Sequence, residues 1–188
     1  FYIASITKIF TASLVLQLID QGRIGLDTTA QSILRQHDLS DLHRVKGRSY
    51  GPQLTIRQLL HQTSGVADYY EGNVAKGLRQ GSDQAYDLTD VLDMTKALPP
   101  FAAPDSGRSY YSDTNYQLLG AIIETVTGRS FADVVQAQIC GPLGLRQTSV
   151  RAPEQPDQPA PLQLYHRSKP LNLPMTLSSM GPDGGIVS

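Results

Sequence analysis

Between Ile6 and Gln21 the apolar positions do not form a single stripe. Ile9, Phe10, Ala12, Leu14, Val15, Leu16, Leu18 and Ile19 cover more than one face of a 3.6-residue helix. This pattern predicts a core helix, with Ser5 as its N-cap and Gly22 as its stop. Thr55 is placed to cap IRQLLHQ, which ends at Ser64-Gly65, and Thr89 to cap DVLDMTKAL, which Pro99-Pro100 closes. Ser112 or Asp113 can open TNYQLLGAIIETVTG, ending at Gly128. Ser130 with Asp133 resembles a capping box ahead of VVQAQIC, which stops at Gly141-Pro142. Residues 66–88, rich in Gly, Asp and Tyr, read as a long loop. The proline-rich stretch 152–161 reads as a surface connection, and GPDGGIVS as a turn entering a strand. The chain has no internal repeat and reads as mostly helical.

Composition narrows the choices. With 188 residues and 40% hydrophobic positions, the chain can bury a core of its own. A net charge of −1 with no basic cluster argues against nucleic acid as a partner. No run approaches the roughly 18 apolar residues of a membrane span. Cys140 is the single cysteine, so neither an internal disulfide nor a cysteine-rich zinc site is available. The chain opens at Phe1 without an initiator Met and stops on strand-like residues. It is therefore read as part of a larger protein, one whose preceding segment could hold a signal peptide.

The candidate chemistry begins at Ser5-Ile6-Thr7-Lys8. Residues three apart share a helix face, so the Lys8 amine can reach the Ser5 hydroxyl. Burial lowers a lysine's pKa and would let Lys8 accept or relay the serine proton. The alternative is a capping serine beside a lysine that snorkels to water. A second candidate is SYYSDTNYQLLG, residues 109–120. Tyr111 there could serve as a general base if a nearby cation lowers its pKa, or could simply be an aromatic at a helix entry with Asp113 as cap. LLHQTSG, residues 59–65, reads as structural, positioning the neighbouring loop.

Other motifs are weaker. GRSYG, residues 47–51, has the form of a nucleophile elbow at Ser49, but the stretch before it is polar and Pro52 follows. His37, His43, His61 and His166 read as structural or exposed residues, and no pair has metal-ligand spacing with a third ligand nearby. No phosphate-binding glycine loop appears, so no cofactor and no metal are expected.

Taken together, SITK, LLHQTSG, YYSDTNYQLLGAIIETVTG and GGIVS resemble, in order and separation, the motifs of the serine β-lactamase and penicillin-binding-protein superfamily. The likeness is to its class C-like branch of β-lactamases, D-alanyl-D-alanine carboxypeptidases, D-aminopeptidases and carboxylesterases. The resemblance implies an α/β, β-lactamase/transpeptidase-like fold, represented here mostly by its helical domain, with the flanking sheet largely missing. Residues 1–165 would form the helical catalytic domain, and residues 166–188 a stub leading into the sheet part.

The resemblance also implies roles. Ser5 would be the nucleophile and Lys8 would assist its deprotonation. Tyr111 would act as base in acylation and then protonate the leaving group. The Ser5 N–H would supply one oxyanion donor. Asp113 stands where the family motif has Asn, so it can accept but not donate when ionised, and it would hold Lys8 protonated. The family's third motif is not in this chain and is expected beyond Ser188. Tyr69 and Tyr70 could line the substrate cleft or pack within their loop. The implied reaction is acyl transfer on an amide, lactam or ester. The implied partner is a small-molecule or peptide substrate: a β-lactam, a D-amino-acid peptide or an ester. A periplasmic or extracellular location follows from the resemblance alone. The competing expectation is a penicillin-sensing or scaffold module of the same fold that does not turn over.

Overall fold

The structure, a computed structural model, describes residues 1–151, 162–166 and 168–188; the proline-rich stretch 152–161 and the side chain of His166 lie outside the described residues. The helices are α1 (Thr7–Asp20), α2 (Ala30–Ile33), α3 (Ile56–Leu60), α4 (Asn73–Gln80), α5 (Leu88–Lys96), α6 (Asp113–Thr127), α7 (Phe131–Val135), α8 (Gly141–Leu143), α9 (Pro174–Ser179) and α10 (Gly181–Gly184). A π-helical turn, Gln136–Cys140, joins α7 to α8. The strands are short: β1 (Arg44–Val45), β2 (Arg48–Ser49), β3 (Ser149–Val150), β4 (Leu164–His166), β5 (Lys169–Leu171) and β6 (Ile186–Val187). They pair antiparallel as β1–β2, β3–β6 and β4–β5. Tyr2 bridges Val187, and Ile3 N–H donates to the Ile186 carbonyl at 2.9 Å, so the first residues lie along the other edge of β6. No helix among the described residues is long and apolar enough to cross a membrane.

The core forms around α1 and α6. Leu14, Val15 and Leu18 of α1 meet Leu118, Leu119, Ile122 and Ile123 of α6, joined by Leu54, Ile56 and Leu59 from the α3 region. Burial of this apolar surface is the main stabilising term. Helix α6 starts after Ser112, whose backbone is extended, and ends at Gly128, which takes the left-handed conformation that glycine adopts without strain. Gly120 in its middle has a packing reason: a Cβ there would lie 2.0 Å from Cγ of Pro182, so only glycine lets α10 lie this close to α6.

Several sequence expectations need correction. Ser5 does not cap α1. It sits in a 3₁₀ turn, Ala4–Ile6, that leads into the helix, and no side-chain cap bond forms there. The turn is entered through Ala4 at φ +48°, a conformation rare for a residue with a side chain. Helix α1 is not buried all round. Thr7, Lys8, Thr11, Leu14, Val15 and Leu18 face inward, whereas Ile9 and Leu16 are exposed, because the described residues place no second layer over that side. Asp87, not Thr89, caps α5, through a reciprocal capping box with Asp90. The stretch 66–88 is not one loop: it holds the 3₁₀ turn Tyr69–Glu71 and α4, whose few apolar residues give a short amphipathic face. Thr55 caps α3 as the sequence indicates, through a capping box with Gln58, and Ser130 caps α7 by accepting from the Asp133 N–H, without the reciprocal bond of a capping box.

Candidate active site

The 3₁₀ turn exposes Ser5 and the first turn of α1 buries Lys8, which is only 7% exposed. Tyr111, on the segment that runs into α6, points its hydroxyl at Ser5 and donates to Oγ at 2.8 Å. The Lys8 ammonium stands 3.4 Å from the same oxygen. Its other partners are Asp113 Oδ1 at 2.6 Å and the Asp183 main-chain carbonyl at 2.8 Å. The ammonium also lies 5.0 Å from the centre of the Tyr111 ring and 5.5 Å from that of Tyr116, within cation–π range.

The segment carrying Tyr111 is fixed by LLHQTSG, a stretch that the sequence marked as structural but assigned only to the neighbouring loop. Tyr110 N–H donates to the Gln62 carbonyl at 2.8 Å and Ser112 N–H to Gln62 Oε1 at 3.0 Å. Ser64 Oγ donates to Asn115 Oδ1 at 2.7 Å, tying the same segment to the start of α6. Gly65 makes the turn possible: its φ is +72°, and a Cβ would fall 2.2 Å from the Ala102 carbonyl oxygen.

The electrostatics differ from those of a desolvated lysine base. Burial does push the Lys8 pKa down, but the Asp113 and Asp183 carboxyl groups outweigh it, and the net shift is upward. Lys8 is therefore held as an ammonium, as expected of a carboxylate at Asp113, and not with the lowered pKa that burial alone would give. Two further acids stand behind it. Burial first, then the nearby Asp113 charge, raises Asp183 to about 8. The same two causes raise Asp68 to about 6, although Asp68 Oδ1 accepts from the Tyr70 and Asp113 N–H groups at 3.1 Å each. Three carboxyl groups around one ammonium cannot all ionise cheaply at low dielectric.

The site opens into a cleft of about 800 Å³ lined by Ser5, Asp68, Tyr70, Arg79, Tyr111 and Asp113, among others. Tyr70 thus lines the cleft and Tyr69 does not. Tyr69 is fully buried and donates to Asp183 Oδ2 at 2.7 Å, with the Tyr86 hydroxyl 3.2 Å away. Ser49 is no elbow nucleophile: it sits on β2 and spends its hydroxyl on the Ser40 carbonyl. His43 is buried against Tyr50, its ring tilted at 43°. No metal-holding group of His, Cys, Asp or Glu occurs among the described residues. Asp183, Gln117 and Asp68 escaped the sequence reading. The one signal was an aspartate between glycines in GPDGG, which reads as an ordinary turn residue.

The sequence model of the Beta-lactamase family matches residues 1–188. The chain belongs to the Beta-lactamase family. Among its relatives, Penicillin-binding protein 4 of Amycolatopsis lactamdurans is 34% identical over 82% of this chain. The chain spans 37% of that relative's own length. Among solved structures of the same β-lactamase/transpeptidase-like fold, a D-stereospecific amidohydrolase from Streptomyces sp. superposes over the whole chain with a TM-score of 0.75 at 30% identity. D-amino acid amidase from Ochrobactrum anthropi SV3 does so with a TM-score of 0.78 at 26% identity. The chain covers 56% and 52% of those two proteins, respectively.

Proposed function

We propose that this chain carries the acylating centre of a serine hydrolase that works through a covalent acyl-enzyme on an amide, lactam or ester. The observation that carries the reading is the Ser5 hydroxyl, exposed at the cleft and met by Tyr111 Oη at 2.8 Å and Lys8 Nζ at 3.4 Å. Ser5 Oγ attacks the substrate carbonyl carbon, and the Ser5 proton passes to Tyr111 Oη as Tyr111 gives up its own. The proton that Tyr111 gives up goes to the leaving amine or alcohol as the carbonyl–leaving-group bond breaks. Lys8, kept cationic by Asp113, stabilises the negative charge that develops at Ser5 Oγ during attack. Water then attacks the acyl carbonyl carbon, a proton passes through Tyr111 Oη to Ser5 Oγ, and the Ser5–acyl bond breaks to free the acid and restore Ser5. In the cleft, Tyr70 and Asp113 contact the substrate.

Penicillin-binding, amidohydrolase and amidase relatives support this reaction class. The Lys8–Asp113 ion pair also favours a second reading, a centre that acylates without turnover, since a lysine held as ammonium cannot take the proton of the deacylating water.

Intact-mass analysis of the full-length natural protein separates these readings. The protein is exposed briefly to a penicillin and to a p-nitrophenyl ester, with Ser5→Ala beside it. Turnover of either probe that disappears in Ser5→Ala is the expected result. A persistent Ser5-dependent penicillin adduct would mark the sensor. No adduct and no turnover with either probe would overturn the catalytic reading and leave a scaffold.

A further inference from the structure

The Lys8 ammonium makes two directed hydrogen bonds, to the Asp183 main-chain carbonyl at 2.8 Å and to Ser5 Oγ at 3.4 Å, and pairs with the Asp113 carboxyl group at 2.6 Å. The donors of an ammonium are tetrahedrally arranged, so a donor fixed on one acceptor limits where the others can point. The Asp183 carbonyl is the shorter of the two hydrogen bonds, and its position depends on how the 181–184 turn is held.

That turn is held by the packing of Pro182 on Gly120 and also through the Asp183 side chain. Asp183 is 2% exposed, and its Oδ2 accepts from Tyr69 Oη at 2.7 Å and from Gln117 Nε2 at 2.9 Å. Tyr69 comes from the 3₁₀ turn after LLHQTSG and Gln117 from α6, so two separate elements hold one carboxyl oxygen. A lesser hold comes from α1, where Thr11 Oγ1 donates to the Pro182 carbonyl at 2.6 Å. We propose that Asp183 is a positioning residue: its buried carboxyl group, gripped by Tyr69 and Gln117, sets its own main-chain carbonyl against Lys8 and so helps to direct a second Lys8 donor to Ser5.

Both grips point donors at the carboxyl oxygen, so an amide oxygen can take the same two bonds. This fits the upward shift of the Asp183 pKa, caused first by its burial and then by the Asp113 charge. The inference concerns the acylation chemistry proposed above and rests on that reading for its kinetic arm only.

The test compares Asp183→Ala, Asp183→Asn and Tyr69→Phe in the full-length protein. It follows ester kinetics and, separately, the ¹³C-labelled Lys8 ε-methylene resonance, assigned with Lys8→Arg. In Asp183→Ala, kcat falls at least about tenfold while KM stays within about threefold, the signature of lost transition-state alignment. The Lys8 resonance moves toward that of exposed lysines. Asp183→Asn restores both readouts, and Tyr69→Phe moves both in the Ala direction by a smaller amount. A folded Asp183→Ala with wild-type kcat and an unmoved Lys8 resonance overturns the proposal, as does an Asn variant no better than Ala. Should Asp183→Ala not fold, an unchanged Lys8 resonance in Tyr69→Phe overturns it instead. If the wild-type protein proves inactive on the ester, the hydrolase reading is what fails, and the resonance arm still decides the role of Asp183.

Discussion

Lys8 Nζ and Asp113 Oδ1 lie 2.6 Å apart in a site that leaves both side chains nearly buried. This contact makes Lys8 a fixed cation. Its charge is compensated locally by the Asp113 carboxyl group. In Asp113→Asn the lysine keeps a hydrogen-bond acceptor but loses its counter-charge, so its pKa falls and the new amide can donate to a substrate carbonyl. The expected outcome is a shift in the ratio of amide or lactam to ester cleavage towards the amide. Stability should drop by less than the ~3–5 kcal/mol seen when one partner of a buried pair is removed outright. Kinetics on matched amide and ester substrates check this; an unchanged ratio would falsify it.

Tyr111 is half exposed, and its hydroxyl makes its hydrogen bond to Ser5. Tyr111→Phe therefore removes the proton carrier while disturbing little packing. Acylation should slow by about 10²- to 10⁴-fold, the usual worth of general acid–base assistance, with the thermal midpoint almost unmoved. Stopped-flow acylation beside a thermal melt separates the two effects. A loss smaller than tenfold would remove Tyr111 from the chemistry.

Two effects oppose each other in Gly120→Ala. Alanine is favoured over glycine in a helix by roughly 0.5–1 kcal/mol. The added Cβ, however, would sit 2.0 Å from Pro182 Cγ, and overpacking of this kind costs about 1–3 kcal/mol. The overlap should win. The variant is expected to be less stable, and also slower, because relief of the clash displaces the segment that brings the Asp183 carbonyl to Lys8. A chemical denaturation curve and ester kinetics test both halves. A gain in stability would show that α10 yields without cost.

Asp68 and Asp183 have pKa values raised to about 6 and about 8 in the folded protein. Unfolded aspartate titrates near ~3.9, so between about pH 4 and pH 8 the folded state binds more protons than the unfolded chain. Their contribution to stability is complete below pH ~4 and is lost as the pH rises through the folded values. The groups facing Asp183 are Lys8, Asp113, Tyr69 and Gln117. Urea midpoints measured across this window should fall with rising pH, and Asp183→Asn should flatten the upper part of the fall. Parallel curves for the two proteins would show that Asp183 does not titrate there.

Much of this molecule was legible in its order of residues. Local rules suffice where a signal is local: the Thr55 and Ser130 caps, the glycine stops at Gly22 and Gly128, and the long apolar run of α6 all form as read. Ser5 and Lys8 could be paired because three residues of helix bring them together. Tyr111 could be added because its motif stands in a recognisable order with theirs. The sequence could not reveal which face of α1 is covered, since a helix apolar on several sides does not say where the next layer lies. The alternation of Gly, Asp and Tyr in 66–88 hid a helix, because α4 is held by tertiary contacts rather than by propensity.

The Asp113 carboxylate already argued for a protonated Lys8, but only the tertiary structure brought together all the groups that set its charge. Spacing placed it next to Ser5, but its protonation depends on Asp113 and Asp183, 105 and 175 residues away in the chain, and on how far burial screens water from all three. The same holds for Tyr69 and Tyr70: adjacent in the chain and alike in chemistry, one became an internal hydrogen-bond donor and the other part of the cleft wall. The sequence by itself determined which groups could do chemistry, because nucleophile, cation and phenol are properties of residue type. Their charge states and directions belong to the fold, because in a low-dielectric interior each is set by neighbours that only packing brings within a few ångströms.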